Sequence, residues 1–138
     1  MYFLTALFVV VAATAGGGEQ QSPVEALLPQ GLAPDVHVLC ASHQFGSATV
    51  GWVTFESESI LIDCPHPDYL PKILAKIEST TGKPLRRVIL THSRPSQLAA
   101  AQELLKRGIE VYAEHQTALL LKQALPGDDR AAQAIREV

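Results

Sequence analysis

The sequence predicts an α/β domain, a mixed β-sheet with helices on one face. Between Asp35 and Asp63, apolar and polar residues alternate in three short runs with short links, the mark of an antiparallel meander. After Asp63 the apolar spacing lengthens to a helical repeat, and strand-like runs then alternate with helical ones. The 138 residues are 47% hydrophobic and 18% charged, which fits one globular core and excludes a disordered chain.

Val36, Val38 and Cys40 alternate with His37 and Leu39 in the first strand, and Gly46-Ser47 turns the chain. Thr49 to Phe55 (TVGWVTF) is the second strand, Glu56 to Ser59 a polar connection, and Ile60 to Asp63 (ILID) a third, more buried strand. Leu70, Ile73, Leu74 and Ile77 then mark one face of a helix. Asp68 can cap it, Pro71 is tolerated in its first turn, and Gly82 and Pro84 stop it. Arg86 to Thr91 is a strand. The helix from Pro95 to Arg107 has a predicted buried stripe of Leu98, Ala101, Leu104 and Leu105, with Gly108 closing it. Ile109 to Ala113 is the fifth strand and Thr117 to Leu125 a third helix, ended by Pro126-Gly127. GDDRAAQAIREV is a weakly helical tail. The order β-β-β-α-β-α-β-α makes the last three strands parallel, because helical crossovers return the chain in the same direction.

The amino terminus, MYFLTALFVVVAATAGGGEQQSP, differs in kind. Phe3 to Ala13 is apolar or small throughout, and Ala13-Thr14-Ala15 has the form of a cleavage site. Residues 1–15 are therefore expected to be an export signal, making the protein periplasmic or secreted. No Lys or Arg precedes the run, so an uncleaved membrane anchor and a mis-assigned start stay open, and membrane contact is expected only if the segment is retained. Residues 16–34 read as a flexible linker, 35–125 as the domain and 126–138 as a polar tail. The net charge of −3 and absence of a basic patch give nucleic-acid binding no electrostatic support. Cys40 and Cys64 are expected to be two small buried hydrophobes rather than a disulfide, since a strand separates them.

SATVGWVTFESESILIDCP, a helix, and then GKPLRRVILTHSRPSQLAAAQELLKRGIEVYAEHQTALL resembles the amino-terminal half of the metallo-β-lactamase fold superfamily, over about Val36 to Leu121. The resemblance implies half of an αββα sandwich, descent from metallo-hydrolases, and zinc as the family's cofactor. In the family, a V-I-L-T-H strand leads into an H-x-H-x-D-H motif, whose ligands hold zinc with an open position for an activated water. His92 matches the first histidine. Arg94 stands at the second, Ser96 at the aspartate and Gln97 at the last histidine. Asp63 matches the aspartate closing the ILID strand, a helper behind the ligands. After Gln97 the sequence holds a single histidine, His115, too early to match the family's later ligands. A vestigial site at His92 without bound zinc is the expectation.

Two alternatives use the same strand ends. Asp63, Cys64, His66 and His92 form an acceptable zinc set in type, which would make the chain a zinc-dependent hydrolase with a rebuilt or shared site. Arg94 and Ser96, at a helix amino terminus beside His92, form a candidate anion cradle, against which Ser93 or Ser96 simply caps the helix. His37, His43 and His115 read as surface residues and Trp52 as core. One sheet with one helical layer should leave a bare apolar face. That face implies self-association or docking to a homologous second half, and a non-catalytic partner-binding module is the second functional reading.

Overall fold

The computed structural model describes residues 30–43 and 46–138. The expected export signal, most of the linker and the side chain of His43 lie outside the described residues. Seven strands form one sheet in sequence order: β1 (Gln30–Ala33), β2 (Val36–His43), β3 (Gly46–Thr54), β4 (Ser59–Ile62), β5 (Leu85–Leu90), β6 (Glu110–Ala113) and β7 (Ile135–Glu137). β1 to β4 run antiparallel to one another, and β4 to β7 run parallel. The helices are α1 (Leu70–Thr81), preceded by a 3-10 turn at Pro67–Tyr69, α2 (Pro95–Lys106), α3 (His115–Gln123) and α4 (Asp129–Gln133). The mixed α/β sheet expected from the sequence is the observed one. Among the described residues no helix is long and apolar enough to cross a membrane.

Strand alternation sorts side chains between the two faces. Leu39, Val50, Trp52, Leu61, Val88, Leu90, Val111, Ala113 and Ile135 are buried in one cluster with Leu70, Ile73 and Ile77 of α1 and Ala100, Ala101, Leu104 and Leu105 of α2. Each leucine, isoleucine or valine side chain among them, withdrawn from water, stabilises the fold by about 1.5–3 kcal/mol. Gly82, at φ +63, ends α1 in a left-handed conformation that costs glycine nothing, and its N–H donates to the Glu78 carbonyl.

Several local expectations need correction. Gln30–Ala33 pairs with β2 where a linker was read, and Ile135–Glu137 adds a parallel strand where a polar tail was read. The stripe of α2 is shifted: Gln97 and Ala100 are buried and Leu98 only partly. α3 begins at His115, because the Glu114 carboxylate accepts from the Gln116 N–H and caps it there. Asp68 does not cap α1, whose N-cap position is Tyr69 with no side-chain capping bond; His66 caps the 3-10 turn before it, its Nδ1 accepting from the Asp68 N–H at 3.4 Å. Cys40 is exposed rather than buried, since it lies on the face opposite Leu39; Cys64 is buried, and both thiols are free. His37 is half-buried, stacked on the Trp52 indole at 5.4 Å.

The open face is not uniformly apolar. Alternation places Val36, Val38, Val53, Ile60, Ile62 and Ile89 on it, with Ile62 and Ile89 38% and 39% exposed. Across β5, β6 and β7, however, it carries Arg87, Glu110, Tyr112 and Arg136. Sequence spacing hides this grouping, because parallel pairing brings together residues far apart in the chain.

Candidate functional site

Strands β4 and β5 end side by side, and their ends build the candidate site. The Asp63 N–H donates to the Ile89 carbonyl at 2.8 Å, and Asp63 then turns out of the sheet at φ +61. A non-glycine residue there is uncommon, and aspartate is among the types that tolerate it. The turn aims its carboxylate across to β5. Oδ1 accepts from the Thr91 N–H at 2.8 Å, and Oδ2 accepts from the Thr91 hydroxyl at 2.7 Å.

His92 follows. Its Nδ1 lies 2.9 Å from Thr91 Oγ1 and 3.6 Å from Asp63 Oδ1. The Thr91 hydroxyl has one proton, already given to Asp63, so its oxygen can only accept from the imidazole. Gln97, in the first turn of α2 and 7% exposed, closes the network from the other side. With its carboxamide oriented to satisfy both ends, its nitrogen donates to the His92 carbonyl at 3.1 Å and to Asp63 Oδ1 at 3.3 Å. Its oxygen then accepts from His92 Nε2 at 3.1 Å. Both ring nitrogens therefore have a hydrogen-bond partner within the chain, and a cation would have to displace one of them.

The other candidates are placed apart from this network. Arg94 occupies the N-cap position of α2 in an extended conformation, as the residue before Pro95 should, with no side-chain capping bond; neither Ser93 nor Ser96 supplies one. Arg94 is exposed and Ser96 half-buried. Cys64 is buried, and burial, with the Asp63 charge as a lesser cause, pushes its thiol up to about 12. It stays protonated at neutral pH, whereas zinc takes the thiolate. The expected outcome is that iodoacetamide or a disulfide reagent modifies Cys40 in the folded protein while Cys64 reacts only on denaturation; prompt labelling of both would contradict it. His66 is turned to its own segment, against Asp68 and edge-on to Tyr69. His115 is exposed and pairs with Glu137 at 2.5 Å, fastening the end of β7 to α3.

These residues do not fit zinc. Among the described residues no three His, Cys, Asp or Glu side chains are grouped so as to hold a metal ion. Sequence reasoning found Asp63 and His92 but missed the roles of Thr91 and Gln97. Gln97 registered only as a lost histidine. The available signal was a glutamine among the apolar residues of a helix start, a position that demands a buried partner.

No family model matches the sequence, and no curated protein is significantly similar to it. Solved structures do match. A metallo-β-lactamase from Hirschia baltica is 20% identical, with a TM-score of 0.60 over 71% of this chain and 48% of that one. The metallo-β-lactamase IND-7 is 20% identical, with a TM-score of 0.63 over 72% of this chain and 49% of that one. The metallo-β-lactamase FIM-1 from Pseudomonas aeruginosa, in its mono-zinc form, is 19% identical, with a TM-score of 0.58 over 70% and 46%. The chain spans about half the length of these proteins and has, over that span, the metallo-β-lactamase fold.

Proposed function

We propose that this chain, half a metallo-β-lactamase fold, is a degenerate hydrolase-like protein without hydrolase activity of its own. The observation that supports the reading is the engagement of both His92 nitrogens by Thr91 and Gln97. In this reading Asp63, Thr91, His92 and Gln97 form a structural knot that ties β4, β5 and α2 together where a metal loop would otherwise lie. A zinc ion could recruit His92 only by breaking the bond to Gln97 or Thr91, and would then have a single imidazole. The buried, protonated Cys64 and His66, which contacts Asp68 and Tyr69, lend no support to a rebuilt site.

The test is metal content. Protein dialysed against zinc and then against buffer is expected to retain no stoichiometric zinc by mass spectrometry, and calorimetry to detect no site tighter than about micromolar. Stoichiometric zinc accompanied by ester or lactam cleavage, both abolished by His92→Ala, would overturn the reading.

A second reading, a non-catalytic module that docks through its open sheet face, is favoured by Ile62 and Ile89, which stand more than a third exposed at its centre. The two readings are compatible. We also propose that the protein is exported, from the apolar run and Ala13-Thr14-Ala15 at its amino terminus.

A further inference from the structure

We propose that the open sheet face is an interface between two copies of this chain, related by a two-fold axis running along the strands between β5 and β6. The inference rests on the docking reading above and names its partner. Four charged side chains lie in a row across adjacent strands. Glu58, at the start of β4, binds Arg87 of β5 at 3.0 Å, and Arg87 lies 3.6 Å from Glu110 of β6. Glu110 in turn accepts from Arg136 of β7 at 2.8 Å. The Arg136 hydrogen bond, joined by the Arg136 and Arg87 charges and opposed by the cost of burial, holds the Glu110 carboxyl below its ordinary range. Along the row the side chains are acidic, basic, acidic and basic. Arg87 and Arg136 keep 41% and 52% of their side chains exposed, so each has solvent-facing donors beyond those used within the chain.

The order of signs selects the symmetry. Two sheets packed face to face lie about 10 Å apart, a gap that arginine and glutamate side chains reach into from both sides. A two-fold across the strands at the height of Arg87 and Glu110 would set each strand over its own copy, placing Arg87 on Arg87 and Glu110 on Glu110. A two-fold along the strands, between β5 and β6, sets β5 over the second copy's β6 and β4 over its β7. Arg87 then meets the second copy's Glu110 at the same height along the strands, and the contact occurs twice, as an isologous interface requires. In the adjoining row Ile89, paired in register with Tyr112, comes to lie over the second copy's Tyr112. An exposed aliphatic side chain thereby gains an aromatic cover. Strands β1 to β3 extend past the overlap.

The test uses the full chain in light scattering coupled to gel filtration. The wild type is expected to be a dimer, and R87E and E110R each a monomer, because each puts like charges together across the axis. Mixed in equal amounts, the two variants are expected to form a one-to-one heterodimer, since each supplies the charge the other lacks. Ile89→Asp, at a position solvent already reaches, gives an independent route to monomer should either charge variant fail to fold. A monodisperse wild-type monomer would overturn the proposal, as would dimers that survive Ile89→Asp or folded R87E and E110R that do not pair. A different polypeptide covering the face gives the first of these results. A zinc-free monomer sinks the two-fold alone, whereas a zinc-loaded, hydrolytic dimer sinks the degenerate-enzyme reading and leaves the two-fold standing.

Discussion

Replacing Trp52 with alanine is expected to lower stability by about 3–5 kcal/mol, read as a shift in the urea midpoint at unchanged slope. Trp52 is fully buried on β3, between Leu61 of β4 and His37 of β2 in the cross-strand register, with the His37 ring stacked on it. Deleting the indole leaves a cavity between strands whose backbone hydrogen bonds prevent them from closing in. The loss is one of packing and transfer alone, because the buried Trp52 Nε1–H has no hydrogen-bond partner among the described residues. That orphan donor makes a second comparison informative. Trp52→Phe removes it along with the smaller share of the volume, so it should cost only about 1–2 kcal/mol. If phenylalanine proved as damaging as alanine, a hidden partner for Nε1 would be implied and the packing account would fail. Against a stability of about 5–15 kcal/mol for a typical domain, the alanine variant should be mostly unfolded at modest urea.

The contrast between β3 and the two edge strands explains what the sequence could reveal. β3 to β6 were legible because each alternates large apolar residues that must face one core, and a one-residue slip would expose them all. β1 has four exposed residues, and β7 buries only Ile135. Those strands exist because neighbouring backbone is available: the Val111 N–H donates to Ala134 and the Val138 N–H to Ala113. No side-chain pattern announces such pairing. The site divides in the same way. Asp63 and His92 stood out by their positions at strand ends and by resemblance. Gln97 could not be read as their partner, because its role depends on the first turn of α2 folding back over β5. The charge row from Glu58 to Arg136 was equally hidden, being assembled by strand order rather than by spacing.

Asp63→Ala is expected to cost about 2–3 kcal/mol, and the companion substitutions show where that cost originates. The carboxylate accepts from the Thr91 amide, the Thr91 hydroxyl and the Gln97 carboxamide. Water can replace it at Thr91, which is exposed, but much less readily at Gln97, which is buried. Most of the penalty should therefore be the unsatisfied amide of Gln97. Alanine must also hold the φ of +61 without aspartate's tolerance for it. Asp63→Gly removes the same acceptors and relieves that strain, so it should be less damaging than alanine by about 1 kcal/mol. Asp63→Asn tolerates the conformation and keeps one acceptor oxygen, and should be the mildest of the three. If glycine and alanine destabilise equally, the backbone contributes nothing and hydrogen bonding carries the whole effect. If asparagine is as harmful as alanine, the negative charge beside His92 is what the knot requires. In that case the pair Asp63 and His92, rather than Gln97, holds the two strand ends together, and Gln97→Ala should then be nearly neutral.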